Sequence, residues 1–200
     1  MHVKTQRRPD SPMSSPNEQL IRRVVDAFDA YRVRSVVIGG QAVNYHGHVR
    51  FTRDVDFTVA LEPWEIDSVL DAVKTVGLQI QVPNPREFVG QVMVLPCLDV
   101  STEMGVDISF VSSPYLFGAI QRAVQFPIAG RLVRFLALED LLLQKVIANR
   151  PQDRIDVVEL LARHATVDFD YIRHWLGQFE QIVEEPLIER FNQLLHDSTQ

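Results

Sequence analysis

Val36-Val-Ile-Gly-Gly-Gln-Ala-Val-Asn-Tyr-His-Gly-His-Val-Arg-Phe-Thr-Arg-Asp-Val-Asp-Phe-Thr-Val59 is the stretch on which the fold turns. Val36 to Ile38 is a short apolar run with the look of a buried strand. It stops at Gly39-Gly40, where the backbone is free to take positive φ or to approach a ligand closely. A short helix over Gln41 to Tyr45 is expected next, then a loop carrying His46, His48, Arg50 and Arg53. From Asp54 to Val59 the residues alternate, which predicts a strand with Asp54, Asp56 and Thr58 on one face and Val55, Phe57 and Val59 on the other.

Residues two apart on a strand lie roughly 6.5–7 Å apart, so the two carboxylates project side by side. They repel unless they share a proton or a cation. Oxygen ligands of this kind suit a hard divalent ion, Mg²⁺ above all. The Gly-Gly turn into a helix offers N–H groups and the positive end of the helix dipole to a phosphate. Metal-binding acids beside a phosphate cradle suggest phosphoryl or nucleotidyl transfer; the bland alternative is an exposed strand edge with two solvated acids. Val106-Asp-Ile-Ser-Phe-Val111 supplies a third acid, Asp107, in the middle of an alternating strand. Burial of an acid there is costly unless it is paired or bound to metal.

The strand, Gly-Gly, short helix and Asp-x-Asp resemble the core of the DNA-polymerase-β-like nucleotidyltransferases. The resemblance implies that Asp54 and Asp56 bind metal and that Asp107 is the third carboxylate, acting as general base toward the attacking hydroxyl. Two Mg²⁺ ions about 3.5–4 Å apart would then serve a nucleoside triphosphate substrate. Gly39, Gly40 and Gln41 would seat the nucleotide, with Arg50 and Arg53 as further nucleotide contacts. A second region, Glu139 to Asp156, resembles the toxin-like AbiEii-type branch, in which a helical Lys is followed by an Arg and an Arg-Asp-x-x-Asp stretch. Lys145, Arg150, Asp153 and Asp156 match, although Asp153-Arg154 reverses the Arg-Asp order. The resemblance implies that Lys145 meets the triphosphate and that Asp156 is a second active-site acid in nucleotide binding. From the residues alone, Asp153 and Asp156 share a helix face that would hold Lys145 or Arg150 in position, meet a ribose or base, or stabilise two helices as a surface network.

The chain has 200 residues, of which 46% are hydrophobic and 23% charged, ordinary values for a globular protein with a real core. A net charge of −6 argues against a broad non-specific nucleic-acid binder, while arginines cluster in the first quarter. No apolar run approaches a membrane span and the N-terminus lacks a secretory signal, so no membrane partner is expected. The single cysteine, Cys97, excludes an internal disulfide and a cysteine-rich zinc site; a reduced, cytoplasmic setting is the expectation. Phosphate-binding loops of the Walker type, nucleophile elbows and dinucleotide fingerprints are missing from the sequence. His46 and His48 lack partners for a metal site and read as loop residues; His164 and His174 read as structural.

In order, the chain predicts a disordered tail over 1–16, a nucleotidyltransferase core over 17–136 and a helical C-terminal region over 137–200. The fold class is α/β (α+β), a small mixed sheet flanked by helices. Expected helices are Glu18 to about Tyr31 capped by Asn17, Glu62 to Val76, Tyr115 to Gln125, Leu138 to Asn149, Asp153 to His164, Asp168 to Phe179 and Ile182 to Leu195. Expected strands include Leu78 to Val82 and Val89 to Leu95, with a hairpin turning at Ala129-Gly130. The function these readings favour is a Mg²⁺-dependent nucleotidyltransferase moving a nucleoside monophosphate, for example from ATP, to an RNA 3′ end (such as tRNA) or to a protein hydroxyl, as a toxin with a cognate antitoxin. The alternatives are a catalytically silent nucleotide- or partner-binding module and a metal-dependent phosphohydrolase.

Overall fold

The computed structural model describes residues 14–199. The tail read as disordered lies outside the described residues up to Met13, and Pro16 already belongs to a helix, α1 (Pro16–Ala30). Ser15 caps that helix in place of Asn17. Its Oγ accepts the Glu18 N–H at 3.2 Å, and the Glu18 carboxylate accepts the Ser15 N–H at 2.8 Å. The sequence Ser-Pro-Asn-Glu is a capping box with proline at the first helical position, a signal that outranks a lone asparagine.

Seven strands form one mixed sheet: β1 (Ser35–Ile38), β2 (Asp54–Val59), β3 (Gln79–Ile80), β4 (Val94–Asp99), β5 (Met104–Phe110), β6 (Val124–Ile128) and β7 (Arg131–Phe135), in the order β3-β4-β5-β2-β1-β7-β6. β2 runs parallel to β5, and β1 parallel to β7; every other neighbouring pair is antiparallel. Alternation divides the central strands as expected. Val37, Val55, Phe57, Val106 and Ile108 are fully buried on one face, where α1 lays Phe28 edge-on against Phe57, ring centroids 5.6 Å apart. Each such burial contributes on the order of 1.5–3 kcal/mol. The other face is apolar only around Val36, Val111 and Ile120, beneath α5 (Pro114–Gln121). Asp54, Asp56 and Asp107 occupy the rest of it.

Three local expectations are overturned. Val89 to Leu95 is not a strand: α4 (Pro85–Val92) occupies most of it, Met93 turns left-handed at φ +62°, and β4 starts at Val94. Pro85 opens this helix at its first position, and Val89 is the residue it buries. The helix from Pro114 ends at Gln121, because Val124 to Ile128 are taken into the hairpin that turns at Ala129-Gly130. The single helix expected after Glu62 is a 3₁₀ turn, Pro63–Glu65, followed by α3 (Asp67–Thr75).

The chain ends in four helices, α6 (Leu138–Ala148), α7 (Pro151–Arg163), α8 (Phe169–Val183) and α9 (Leu187–Asp197). Asp140 of α6, fully buried, ties them to the rest. It accepts the hydroxyls of Tyr115 and Tyr171 at 3.0 and 2.7 Å and is paired with Arg122 at 2.8 Å. No described helix is long and apolar enough to cross a membrane. Replacing Asp140 with Ala leaves two tyrosine hydroxyls and a guanidinium without their acceptor. Urea denaturation is expected to show a loss of roughly 2–4 kcal/mol, kept at that level because Arg122 can still reach water. The double change Tyr115→Phe and Tyr171→Phe is expected to cost less than Asp140→Ala.

Candidate active site

β2 and β5 run parallel with Asp56 directly opposite Asp107 and Asp54 opposite Gly105. Residues opposite one another in neighbouring strands point to the same face. All three acids therefore line one cavity of about 660 Å³, on the face turned away from the α1 core. Glycine is required where these side chains sit. A Cβ on Gly105 would lie 2.5 Å from Asp54 Oδ1, and one on Gly39 would collide with Asp56 Oδ2. Gly39 also holds φ at +60°, the left-handed region, as the chain turns from β1 into α2 (Gly39–Tyr45). The N–H of Gly40 is hydrogen-bonded to the Asp56 carboxylate. Part of the polarity expected to cradle phosphate thus serves the acid itself.

The acids feel one another. Burial pushes the Asp56 carboxyl up to about 6, helped by the charges of Asp107 and Asp54 and opposed by Lys145 and the Gly40 N–H. Burial, then Asp54, raises Asp107 as well. Among the described residues no cation is paired with Asp54 or Asp107. Equally, no three His, Cys, Asp or Glu side chains there are yet drawn together tightly enough to enclose an ion. An oxygen-only donor set whose charge is crowded and unpaired fits a hard divalent cation, with Asp54, Asp56 and Asp107 as its holders.

The facing wall comes from α6 and α7. Lys145 reaches the cavity but is almost fully buried, its Nζ 2.7 Å from Asp153 and 2.8 Å from Asp156. The free point charge expected for the triphosphate is thus an ammonium held between two carboxylates. Asp153 also binds Arg150 Nε at 2.6 Å and accepts the Arg150 N–H at 3.2 Å. Burial works to raise both acids, but hydrogen bonds prevail and hold them low: Arg150 and Lys145 for Asp153, and Arg50, Lys145 and Gln152 for Asp156. Asp156 is fully buried and does not line the cavity. Its place in the structure is a hub, gripping Arg50 from the β2 side with bonds of 2.7 and 2.9 Å.

Of the residues read as nucleotide contacts, Gly39, Gly40, Arg50 and Lys145 line the cavity with the three acids. Gln41 and Arg53 do not. Gln41 turns away into a separate polar cleft, and Arg53 lies over the Phe51 ring outside the cavity. Thr52, Gln144 and Arg150 are among the other residues that line it, without having been assigned to the site. Arg150 has the clearest sequence signal among them: it precedes Pro151, which starts α7, and its side chain is 74% exposed, leaving it the more available cation. The histidines are structural ties: His46 Nε2 is 2.8 Å from the Leu136 carbonyl, and His164 Nε2 is 2.7 Å from the His46 carbonyl.

No curated protein sequence matches the chain. Solved structures do, at low identity. The antibiotic-resistance factor ANT(2'')-Ia aligns with a TM-score of 0.60 at 16% identity, over 86% of this chain and 97% of its own. An antigenic nucleotidyltransferase-like protein from Paracoccidioides brasiliensis gives 0.53 at 14%, over 91% and 95%. The lincosamide antibiotic adenylyltransferase LnuA, solved with lincomycin, gives 0.52 at 15%, over 74% and 96%. These likenesses establish the nucleotidyltransferase fold. A family model described as nucleotidyltransferase of unknown function (DUF6036) matches residues 18–195, nearly the whole chain, and the protein belongs to that family of nucleotidyltransferases.

Proposed function

We propose that the protein moves a nucleoside monophosphate from a nucleoside triphosphate to a hydroxyl on an RNA 3′ end or a protein, with Mg²⁺ held by Asp54, Asp56 and Asp107. The reading rests on one observation above all: three acids from two parallel strands line a single cavity whose opposite wall carries Arg150 and Lys145. Bound there, the metal supplies positive charge that lets the acids ionise together and offsets charge on the phosphates. Asp107, whose carboxyl is already raised, accepts the proton of the acceptor hydroxyl. The acceptor oxygen bonds to the α-phosphorus as the bond to the bridging oxygen breaks, and pyrophosphate leaves. Arg150 and Lys145 neutralise the departing charge, with Asp153 and Asp156 keeping both cations oriented. A toxin-like role follows the second resemblance, in the stretch around Lys145 to Asp156. Growth arrest on expression of the chain alone, relieved by Asp56→Asn, is its test.

Asp56→Asn is expected to lower transfer of label from an α-labelled nucleoside triphosphate by roughly two to three orders of magnitude while the chain stays folded. Preserved activity in that variant would remove the acids from the mechanism. Gly39→Ala is expected to act nearly as strongly, because a methyl collides with Asp56 Oδ2 and strains a left-handed backbone.

The Asp56 shift also has a stability sign. Its carboxyl is about 6 in the folded metal-free protein against an ordinary 3.8, so the folded state binds more protons between those values. Stability from this group is present at low pH and lost as pH rises through about 6. By calorimetry, Asp56→Asn is expected to raise Tm of the metal-free protein at about pH 7.5 and to lose that advantage below about pH 4. Mg²⁺ is expected to raise Tm of the unaltered chain at the higher pH and not that of Asp56→Asn.

A further inference from the structure

The active-site cavity has a neighbouring cleft on the β2 side. Thr52 walls the cavity and also walls this second cleft, of about 490 Å³, which runs between Phe51, Arg53, Asn17 and the turn from Thr102 to Met104. Asn17 in turn belongs to a third cleft, of about 320 Å³, that ends at Gln41. The three spaces thus share walls in sequence, from the carboxylates past the tip of the β4–β5 hairpin to the start of α1. None of the cations of α6 and α7 lines the outer two. Asp54 stands beside this shared wall, with Thr52 two residues before it and Gly105, its register partner, adjacent to Met104.

Three side chains along these clefts are left incompletely partnered inside the chain. Phe51 is 80% exposed, and the Arg53 guanidinium lies 6.0 Å from its ring centroid. Arg53 has no carboxylate partner among the described residues, whereas Arg50, three residues earlier, is committed to Asp156. Gln41 is only 3% exposed, yet its amide Nε2 is buried without any hydrogen-bond partner. A buried amide donor left open costs free energy unless something else completes it.

We propose that this run of clefts is the acceptor channel and that its occupant is the 3′ end of a single-stranded RNA, with Phe51 as the stacking platform, Arg53 on a phosphate and Gln41 hydrogen-bonding a base or ribose further in. The assignment rests on the nucleotidyltransferase reading above and deepens it by choosing the acceptor. An exposed aromatic face beside an unpaired guanidinium matches a unit made of a flat ring and a phosphate, the repeating unit of RNA and not of a peptide. Arg53 and Glu103 are the only charged residues lining the middle cleft, so recognition rests on stacking with about one phosphate contact. A polycationic acceptor would find no surplus of acids there.

The test uses the full chain with each α-labelled nucleoside triphosphate, Mg²⁺, and either total RNA, the same RNA with periodate-oxidised 3′ ends, or an RNA-free protein extract. Label is expected in RNA, to be lost after periodate oxidation, and to be absent from protein. Phe51→Ala and Arg53→Ala are each expected to raise KM for RNA about tenfold while leaving KM for the triphosphate within about twofold, and Phe51→Tyr is expected to restore the value. One phosphate contact predicts a shallow salt dependence, with log KM changing by about 0.7 per tenfold change in salt and flattening in Arg53→Ala. Label in protein, label in periodate-treated RNA, or an unchanged KM for RNA in Phe51→Ala overturns the channel. If instead no acceptor is labelled and calorimetry finds no Mg²⁺-dependent triphosphate binding, the underlying nucleotidyltransferase reading is what fails.

Discussion

The constraint behind everything else is the parallel register of β2 and β5, which sets Asp56 across from Asp107 with Asp54 alongside. Three carboxylates on neighbouring pleats cannot all be ionised cheaply in a partly buried site. The protein does not relieve the strain by adding a lysine or arginine between them. It lets burial and mutual repulsion raise Asp56 and Asp107 and keeps the backbone clear with Gly39 and Gly105. Charge left unbalanced in this way is what a cation and a phosphate exchange at this site would use, and it accounts for the departure of these strands from an apolar interior.

The opposite wall is built on the reverse logic. Lys145, Arg150 and Arg50 are each matched to an aspartate, and Asp153 and Asp156 hold them from one face of α7. A buried charge pair contributes little net stability, because desolvation offsets most of the attraction. Its effect is geometric. Long flexible cations are fixed at the edge of the cavity, and the Arg50–Asp156 bonds fasten the loop before β2 to the C-terminal helices. The site is thus a crowded, unpaired acid wall facing three cations that share two buried carboxylates.

The acid wall was legible in the sequence because strand alternation has period two: once Asp54 to Val59 and Val106 to Val111 are read as strands, the side chains' faces follow. Parallel pairing between them was not legible, since alternation says nothing of which strands are neighbours. The roles on α6 and α7 were legible only as a spacing. Asp153 and Asp156 share a face in any helix, but whether that face meets substrate or Lys145 depends on the helix crossing, which is a tertiary fact. Gln41 and Arg53 fall outside the cavity for the same reason: both lie within a few residues of cavity-lining positions, and one residue of helix or loop turns a side chain away. The segment before β4 misled through composition. Valines favour strands as a type, yet Pro85 and the buried Val89 made a helix of it.

The cavity's two walls come from separate stretches of the chain: glycines and acids from Gly39 to Asp107, cations from Lys145 to Arg150, and their anchor at Asp156. During synthesis the carboxylates leave the ribosome long before α7 can fold over them. A partly made chain therefore carries the acid strands with nothing opposite them, and the pocket takes shape only when the last third of the polypeptide docks. Docking of α6 and α7 is thus the step that completes the pocket.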